Sequence, residues 1–95
     1  MTYYSYVLRS LKNGILYKGS TENIEKRLQS HNEGLVNFTS KHLPWEIVIQ
    51  EEFTTRAQAM NRERWYKTGV GRDWIKNQLN PLLSPPRRKQ LPSKQ

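Results

Sequence analysis

The 95-residue sequence contains no cysteine and only two histidines. Without cysteine the chain can form neither a disulfide framework nor a thiolate metal or redox site, and two histidines alone cannot complete a zinc-finger ligand set. No apolar run approaches the roughly 18 residues that a membrane-spanning helix needs. The first residues, Met1 to Tyr4, show no signal-peptide pattern. We therefore expect a soluble cytoplasmic protein.

Acidic residues are also scarce relative to basic ones. The chain has 8 Asp and Glu against 16 Lys and Arg, which gives a formal net charge of +8. A surplus of this size favours a polyanionic partner, either nucleic acid or an anionic membrane surface.

Proline is nearly absent before residue 81. Residues 81–95 hold four of the five prolines together with four basic residues and no acidic one. A segment of this composition cannot build a core. We predict one folded domain, residues 1–80, followed by a disordered, basic, Pro-rich tail, residues 81–95. The tail either adds attraction to phosphate or serves only solubility.

Hydrophobic periodicity predicts three strands and three helices within residues 1–80. Alternating aromatic and β-branched residues favour strands over 3–10, 15–19 and 45–53, and Lys12-Asn13-Gly14 is a hairpin signal between the first two. The third strand is expected to turn one apolar set to a single face: Trp45, Ile47, Ile49 and Phe53. Helices are predicted over 22–32, 56–68 and 72–79, with an irregular basic loop or a short helical turn over 35–44. This β-β-α-β-α-α order indicates an α+β fold, with helices packed on a small, mostly antiparallel sheet.

The predicted hairpin places two phenols on one face of the sheet. A loop of four residues, 11–14, pairs Leu8 with Tyr17 and Tyr6 with Gly19. Tyr6 and Tyr17 are then diagonal neighbours about 7–8 Å apart at the backbone. Because Gly19 lacks a side chain, we expect open space opposite Tyr6. The two phenols either pack the core as a cross-strand pair or line a site beside that space.

The first predicted helix adds a guanidinium and an imidazole. Arg27 and His31 are four residues apart and project from one side of the helix. Arg27 presents a fork of donors suited to phosphate, and His31 can hydrogen-bond or exchange a proton near neutral pH. Their alternative roles are those of a surface arginine and a histidine at the core boundary.

Glu63 breaks the apolar pattern of the second predicted helix. An unpaired buried carboxylate is unfavourable, so Glu63 needs a cationic partner. That partner is either Arg27 or a metal such as Mg²⁺, which one carboxylate can hold because the ion keeps several waters. Two tyrosines, an arginine, a histidine and an inward glutamate supply what a phosphodiesterase requires. The apolar pattern that Glu63 interrupts is the inward-facing set Ala59, Met60, Glu63 and Tyr66 of the second predicted helix.

In their order along residues 3–79, these motifs resemble the GIY-YIG endonuclease superfamily, especially its small stand-alone bacterial proteins. Tyr4-Ser5-Tyr6 matches the first family motif and Tyr17-Lys18-Gly19 the second, although Tyr4 and Ser5 replace the glycine and isoleucine of the first and Lys18 the isoleucine of the second. The changes at Ser5 and Lys18 fall on the hairpin face opposite the two phenols and make that face more polar. The other matches are Arg27-Leu28, His31-Asn32, Pro44-Trp45-Glu46, Arg62-Glu63, Lys67-Thr68-Gly69 and Gly71-Arg72.

The resemblance implies a three-stranded antiparallel sheet flanked by helices, and hydrolysis of one nucleic-acid strand by water with Mg²⁺ or Mn²⁺ as cofactor. By the matching positions, Glu63 would bind the metal and Arg27 the phosphate. Tyr17 would be the leading candidate for the general base. Tyr6 would orient the water or share that role, and His31 would assist as a hydrogen-bond partner. We assign five further residues to nucleic-acid contact: Lys41, His42, Arg62, Lys67 and Arg72.

Three functions remain open on this basis. The first is a metal-dependent DNA endonuclease acting in DNA repair or on branched or damaged DNA, with DNA favoured over RNA and no membrane as partner. Larger members of the superfamily owe target choice to extra domains, so a separate protein partner would supply targeting. The second is a nucleic-acid-binding module with little or no catalysis, and the third is a structural domain that binds no nucleic acid. Trp65 and Trp74 could stack on bases, but packing between helices is favoured.

Overall fold

The computed structural model describes residues 1–80 and confirms the predicted α+β architecture. A single turn of 3-10 helix, Thr39–Lys41, lies in the predicted basic loop. The predicted tail, residues 81–95, lies outside the described residues. Between residues 1 and 80, no helix is long and apolar enough to cross a bilayer. The elements in chain order are β1 (Tyr3–Ser10), β2 (Leu16–Thr21), α1 (Ile24–Asn32), β3 (Trp45–Phe53), α2 (Arg56–Tyr66) and α3 (Gly69–Leu79).

The sheet is antiparallel, with strand order β2-β1-β3 and β2 at one edge. The hairpin register is the predicted one, because Leu8 lies opposite Tyr17 and Tyr6 opposite Gly19. The loop closes where the Ser10 amide donates to the Ile15 carbonyl at 2.9 Å. This register decides which side chains of β1 and β2 share a face.

Each face of the sheet carries its own hydrophobic core. The front face, which we define by Tyr6, Leu8 and Trp45, is covered by Ile24 and Leu28 of α1. The back face bears Val7 and packs against α2 and α3, whose Tyr66 and Ile75 are buried. Neighbouring residues of β1 thus serve opposite layers, since side chains alternate along a strand.

A β-bulge at Val48 changes the facing of β3. Val7 lies opposite Ile49 while Leu8 lies opposite Ile47, so one residue of β3 is left over between them. Ile47 therefore packs in the front core, whereas Val48 and Ile49 pack in the back core. The prediction that Trp45, Ile47, Ile49 and Phe53 share one face is wrong, because the bulge shifts the alternation by one residue.

Buried polar groups on the back face form a closed network. Ser5 is fully buried and donates to the Tyr66 hydroxyl at 2.8 Å, while the Tyr66 hydroxyl donates to Oε1 of Glu51 at 2.5 Å. Arg62 binds both oxygens of the same carboxylate, at 2.8 and 3.3 Å. Burial, followed by the Glu51 carboxylate, raises the pKa of Tyr66, so the phenol keeps its proton. The polar departure at Ser5 is accommodated because every partner is satisfied.

Arg62 therefore has a structural role in this network, and its contact with nucleic acid stays a prediction. Besides binding Glu51, its guanidinium lies over the rings of Trp65 and Trp74, 4.0 and 4.8 Å from their centroids. The two tryptophan rings also contact each other edge to face, 5.6 Å apart. Trp65 and Trp74 thus pack between the helices, as favoured from the sequence.

The caps explain where the helices begin. Asn23, whose side chain accepts from the Lys26 amide, starts α1 two residues later than predicted. Thr55 forms a capping box with Gln58 at the start of α2. Thr68 caps the Gly71 amide, so α3 begins at Gly69, three residues before the predicted start. The short interval between α2 and α3 is thus a capping turn.

Gly71 sets the distance between α2 and α3. A methyl group there would collide with the Trp65 carbonyl oxygen and would lie 2.7 Å from the carbonyl carbon and 2.8 Å from Cα of Tyr66. That carbonyl oxygen is fixed by the hydroxyl and the amide of Thr68. At Gly69, in the same turn, a methyl group would meet nothing within 4 Å.

Replacing Gly71→Ala should lower the free energy of unfolding by about 2 kcal/mol, because backbone atoms must move apart. The control Gly69→Ala should leave it unchanged or raise it by up to about 1 kcal/mol, because alanine is the better helix former. Urea unfolding followed by circular dichroism measures both values. Equal stability of the two variants would contradict the close contact described above.

Candidate active site

Four of the five predicted catalytic residues lie together on the front face. Tyr6 and Tyr17 extend from β1 and β2 with ring centroids 6.5 Å apart, and His31 of α1 approaches Tyr17 edge-on at 4.9 Å. Arg27 lies one turn earlier on α1, and the phenols, chiefly Tyr6 and then Tyr17, raise the pKa of its guanidinium. The hairpin register and the helical spacing together produce this cluster.

The Tyr6 ring lies directly over Gly19. A side-chain carbon at Gly19 would collide with the Tyr6 hydroxyl and lie 2.5 Å from the ring carbon that carries it. The predicted open space opposite Tyr6 is therefore wrong, because the phenol itself fills it. Glycine is required here so that the hydroxyl can reach across the edge strand.

His31 is fully buried, and its hydrogen bonds define its tautomer. Nε2 lies 3.1 Å from the Tyr6 hydroxyl, and Nδ1 lies 2.8 Å from the Thr39 hydroxyl. The Thr39 hydroxyl donates to the Val36 carbonyl at 3.3 Å. Because its single proton is used there, we assign the imidazole proton to Nδ1, and Nε2 accepts from Tyr6. Burial, joined by repulsion from Arg27, lowers the pKa of His31 to about 4, so the ring is neutral at pH 7.

Tyr6 and Tyr17 occupy different environments within the cluster. Tyr6 is 1% exposed, and burial raises its pKa to about 12, with Arg27 opposing and Tyr17 and Glu63 reinforcing the shift. Tyr17 is half-buried and stacks on the exposed ring of Phe38, 6.2 Å away. The Tyr6 hydroxyl thus donates to His31 within the core, whereas Tyr17 reaches the surface.

Glu63 lies on the other side of the edge strand. Its Oε1 accepts from the Ser20 hydroxyl at 2.8 Å and its Oε2 from the Lys67 ammonium at 2.9 Å, and its side chain is 22% exposed. The partner of Glu63 is thus Lys67, and the alternative of a salt bridge to Arg27 is wrong. Glu63 binds Ser20, and the Tyr6 hydroxyl lies over the adjacent residue Gly19, so the two groups meet neighbouring residues of β2. The negative charge of Glu63 is close enough to help raise the pKa of Tyr6.

The facing of α2 differs from the prediction at one position. Ala59 and Tyr66 are buried as expected, but Met60 is 40% exposed. Because Met60 does not belong to the buried stripe, Glu63 lies at the edge of that stripe and not at its centre. This position lets the carboxylate keep contact with solvent.

Glu63 is the residue whose chemistry fits a divalent cation. Within residues 1–80, no group of three or more His, Asp or Glu side chains is placed to hold a metal. Mg²⁺ does not need such a group, because it retains several waters and is commonly bound through one or two carboxylates together with substrate phosphate. Within residues 1–80, each Glu63 oxygen accepts one hydrogen bond, from Ser20 or Lys67, and has a further lone pair available. The donor set therefore fits a hydrated Mg²⁺ or Mn²⁺.

The remaining predicted nucleic-acid residues lie at two places. Lys41 and His42 follow Phe38 near Tyr17, and His42 is held by Asn13 at 2.9 Å. Lys67 and Arg72 lie on the back side of β2, where the Arg72 guanidinium donates to the Lys67 carbonyl at 3.0 Å. Basic side chains thus flank the cluster on both sides of the edge strand.

Sequence reasoning missed the residues that support the cluster. Thr39 holds His31, and its carbonyl also accepts from the Trp45 indole at 2.9 Å. Asn32 accepts from the Trp45 amide and donates to its carbonyl, at 2.7 and 3.2 Å. Thr39 lies in an irregular segment with no periodic pattern to single it out. The buried His31 offered the available signal, since its second nitrogen needed a partner.

Comparisons with known proteins identify the family and the fold of the chain. A family model described as the GIY-YIG catalytic domain matches residues 2–78. A UPF0213 protein of Bacillus licheniformis is 43% identical over 67 residues, which cover 70% of this chain and 68% of that protein. The UPF0213 protein YsiG of Lactococcus lactis is 34% identical over 82 residues, covering 81% and 78%. The solution NMR structure of the UPF0213 protein BH0048 from Bacillus halodurans has the same fold, with a TM-score of 0.51 at 22% identity over 96% of this chain and all of that one.

The low pKa of His31 makes stability depend on pH. The unfolded chain protonates His31 below the ordinary pKa of 6.5, whereas the native protein does so only near 4. The contribution is therefore fully present above pH 6.5 and is lost as the pH falls towards 4, with a loss of about 2 kcal/mol by pH 5. Urea unfolding between pH 7 and 5 should show this slope, and His31→Gln should flatten it. An NMR titration that places the His31 ring near 6.5 in the native protein would contradict the assignment.

Proposed function

The chain belongs to the GIY-YIG catalytic domain family, and from this premise we propose that it is a metal-dependent endonuclease that hydrolyses one phosphodiester bond of a DNA strand. Family membership implies nuclease activity and a nucleic-acid substrate. The observation that carries the finer proposal is the placement of Arg27 beside two phenols and a buried neutral His31. A positive group and adjacent proton-transfer groups are what phosphodiester hydrolysis requires.

We assign phosphate binding to Arg27. Its guanidinium is half-buried and is the cation that faces the two phenols. A planar fork of N–H donors suits a non-bridging phosphate oxygen, whose negative charge grows as water attacks. Arg27 would then neutralise that charge while Tyr6 and Tyr17 flank the attacking water.

Tyr17 is our candidate for the general base. Tyr6 donates its proton to His31 and is almost fully buried, whereas Tyr17 is half-buried and reaches the surface beside Arg27. A base must lie within hydrogen-bond reach of water, which favours Tyr17. Tyr6, oriented by His31, would hold the water or pass its own proton to Nε2 as it accepts one.

Glu63 would hold the divalent cation on the other side of Gly19. When bound, the cation supplies positive charge to the scissile phosphate and to the leaving oxygen. Lys67 now pairs with Glu63, so it would turn to solvent or to the substrate backbone as the cation binds. Lys41, His42 and Arg72 would contact neighbouring phosphates.

A second function is favoured by one observation. The ion pair between Glu63 and Lys67 already compensates the carboxylate, as it would in a protein that binds nucleic acid with little or no catalysis. The net charge of +8 suits either activity. The two functions differ in the role of Glu63. A nuclease requires it for cleavage, whereas in a binding module it only stabilises the fold.

We further propose that the protein acts in the cytoplasm in DNA repair, on branched or damaged DNA. DNA is favoured over RNA, and a separate protein partner directs the nuclease to its target. These proposals rest on the family resemblance and on the net charge of +8.

Cleavage by two variants tests the site. With labelled branched, nicked and single-stranded DNA and Mg²⁺ or Mn²⁺, Glu63→Gln and Tyr17→Phe should each lower the rate by about 100-fold, because one removes the charged ligand and the other the base. The controls Glu52→Gln, an exposed carboxylate of β3, and Tyr3→Phe should cut at the wild-type rate.

Cleavage that persists unchanged in Glu63→Gln and Tyr17→Phe would reject the assigned site. Salt-dependent binding without any cleavage by the wild type, unaffected by Glu63→Gln, would instead support the binding module.

Mn²⁺ tests the metal ligand independently of activity. Because the ion is paramagnetic, substoichiometric Mn²⁺ should first broaden the amide NMR signals of Ser20, Glu63 and Lys67. Glu63→Gln should abolish this selective broadening, and EDTA should reverse it. Broadening that begins in residues 81–95 or around Glu46 would argue against Glu63.

A further inference from the structure

A cavity of 440 Å³ lies on the back face, between β2 and α3. Its volume falls within the roughly 300–1,000 Å³ typical of small-molecule sites. We call Leu16, Ile75 and Leu79 the apolar floor, because these side chains line the cavity and belong to or pack against the back core. Such a floor favours a flat apolar ring over a hydrated ion.

Three cations surround this floor without neutralisation. We call Lys18, Arg72 and Lys76 the cationic rim. In the part of the chain that the structure describes, none of the three forms an ion pair with a carboxylate. Arg9 also lines the cavity, but its charge is compensated by Glu46 at 2.8 Å.

The rim holds like charges close together. Lys18 is half-buried, and burial, followed by repulsion from Arg72 and Lys67, lowers its pKa. Lys18 is also one of the departures from the family pattern, which has isoleucine at this position. A buried cation among other cations is unfavourable unless an anion binds between them.

The rim is continuous with the candidate active site. Lys67 donates to Glu63 and is close enough to Lys18 to repel it. The phosphate backbone of a nucleic-acid strand that passes Glu63 would therefore contact Lys67 and then reach the cavity. The cavity lies on the opposite face from Tyr17, so it adds a contact separate from the reacting groups.

We propose that this cavity binds one unpaired nucleotide of the nucleic-acid strand, with its phosphate on the cationic rim and its base against the apolar floor. The choice of nucleic acid rests on the proposed function. A phosphate beside a flat ring matches the charge of the rim and the apolarity of the floor. A duplex keeps its bases in the stack, so the bound nucleotide is unpaired.

Mononucleotide binding tests the proposal without cleavage. Adenosine 5′-monophosphate, adenosine and inorganic phosphate are titrated into the full chain, and the methyl NMR signals of the apolar floor are followed. The monophosphate should shift the signals of all three floor residues and bind more tightly than adenosine or phosphate alone, because it engages both parts of the cavity.

Variants of one rim residue separate charge from fold. Lys18→Gln should weaken binding of the monophosphate by about tenfold, the loss expected for one charge-assisted hydrogen bond, whereas Lys18→Arg should retain it. Lys26→Gln removes the same charge from an exposed position on α1 and should bind as the wild type does.

The outcomes distinguish this proposal from the nuclease. Binding of the monophosphate at the floor by a wild type that cuts no DNA supports the cavity while the nuclease proposal fails. Phosphate that binds as tightly as the monophosphate without moving the floor signals overturns the proposal. Contacts from Leu82 or Leu83 to the floor that the monophosphate does not displace also overturn it, because the occupant is then the chain itself.

Discussion

The hydrogen bond between the Tyr6 hydroxyl and Nε2 of His31 holds the candidate site together. It joins the central strand to α1, and His31 continues the link to Thr39 in the following loop. Arg27 lies one turn earlier on the same helix, so the bond that fixes His31 also fixes the guanidinium beside the phenols. The arrangement depends on the bare backbone of Gly19, over which the Tyr6 ring lies. With any other residue at position 19, the Tyr6 ring could not occupy its present place.

Local patterns were sufficient to predict most of the fold. The hairpin register followed from the loop length, and β1 and β3 have the predicted bounds. The bulge at Val48 could not be predicted from β3 alone, because it arises from the way that β3 pairs with β1. The predicted start of α3 at residue 72 is three residues late, since Gly69 and Gly71 lie in its first turn and glycine is a poor helix former. Gly71 is instead needed for the close approach of α3 to the carbonyl of Trp65.

The front half of the site was predictable and the back half was not. Tyr6, Tyr17, Arg27 and His31 converge because strand pairing and helical spacing are regular, and both are visible in the sequence. The partner of Glu63 was available at Lys67, four residues later on the same helix, but a tertiary partner was given preference. Arg62 could not be separated from the other cations, because its binding to Glu51 depends on the packing of α2 against β3. The roles of these residues in catalysis stay predictions.

The two faces of the hairpin are built from two separate sets of residues, which can be substituted independently. Positions 6 and 8 of β1 and positions 17 and 19 of β2 serve the layer with the phenols, while positions 5, 7, 16 and 18 serve the layer with α2 and α3. Ser5 and Lys18, which replace isoleucines of the superfamily pattern, both fall in the second set. Because side chains alternate along two short strands, a substitution on one surface can leave the contacts of the opposite surface in place.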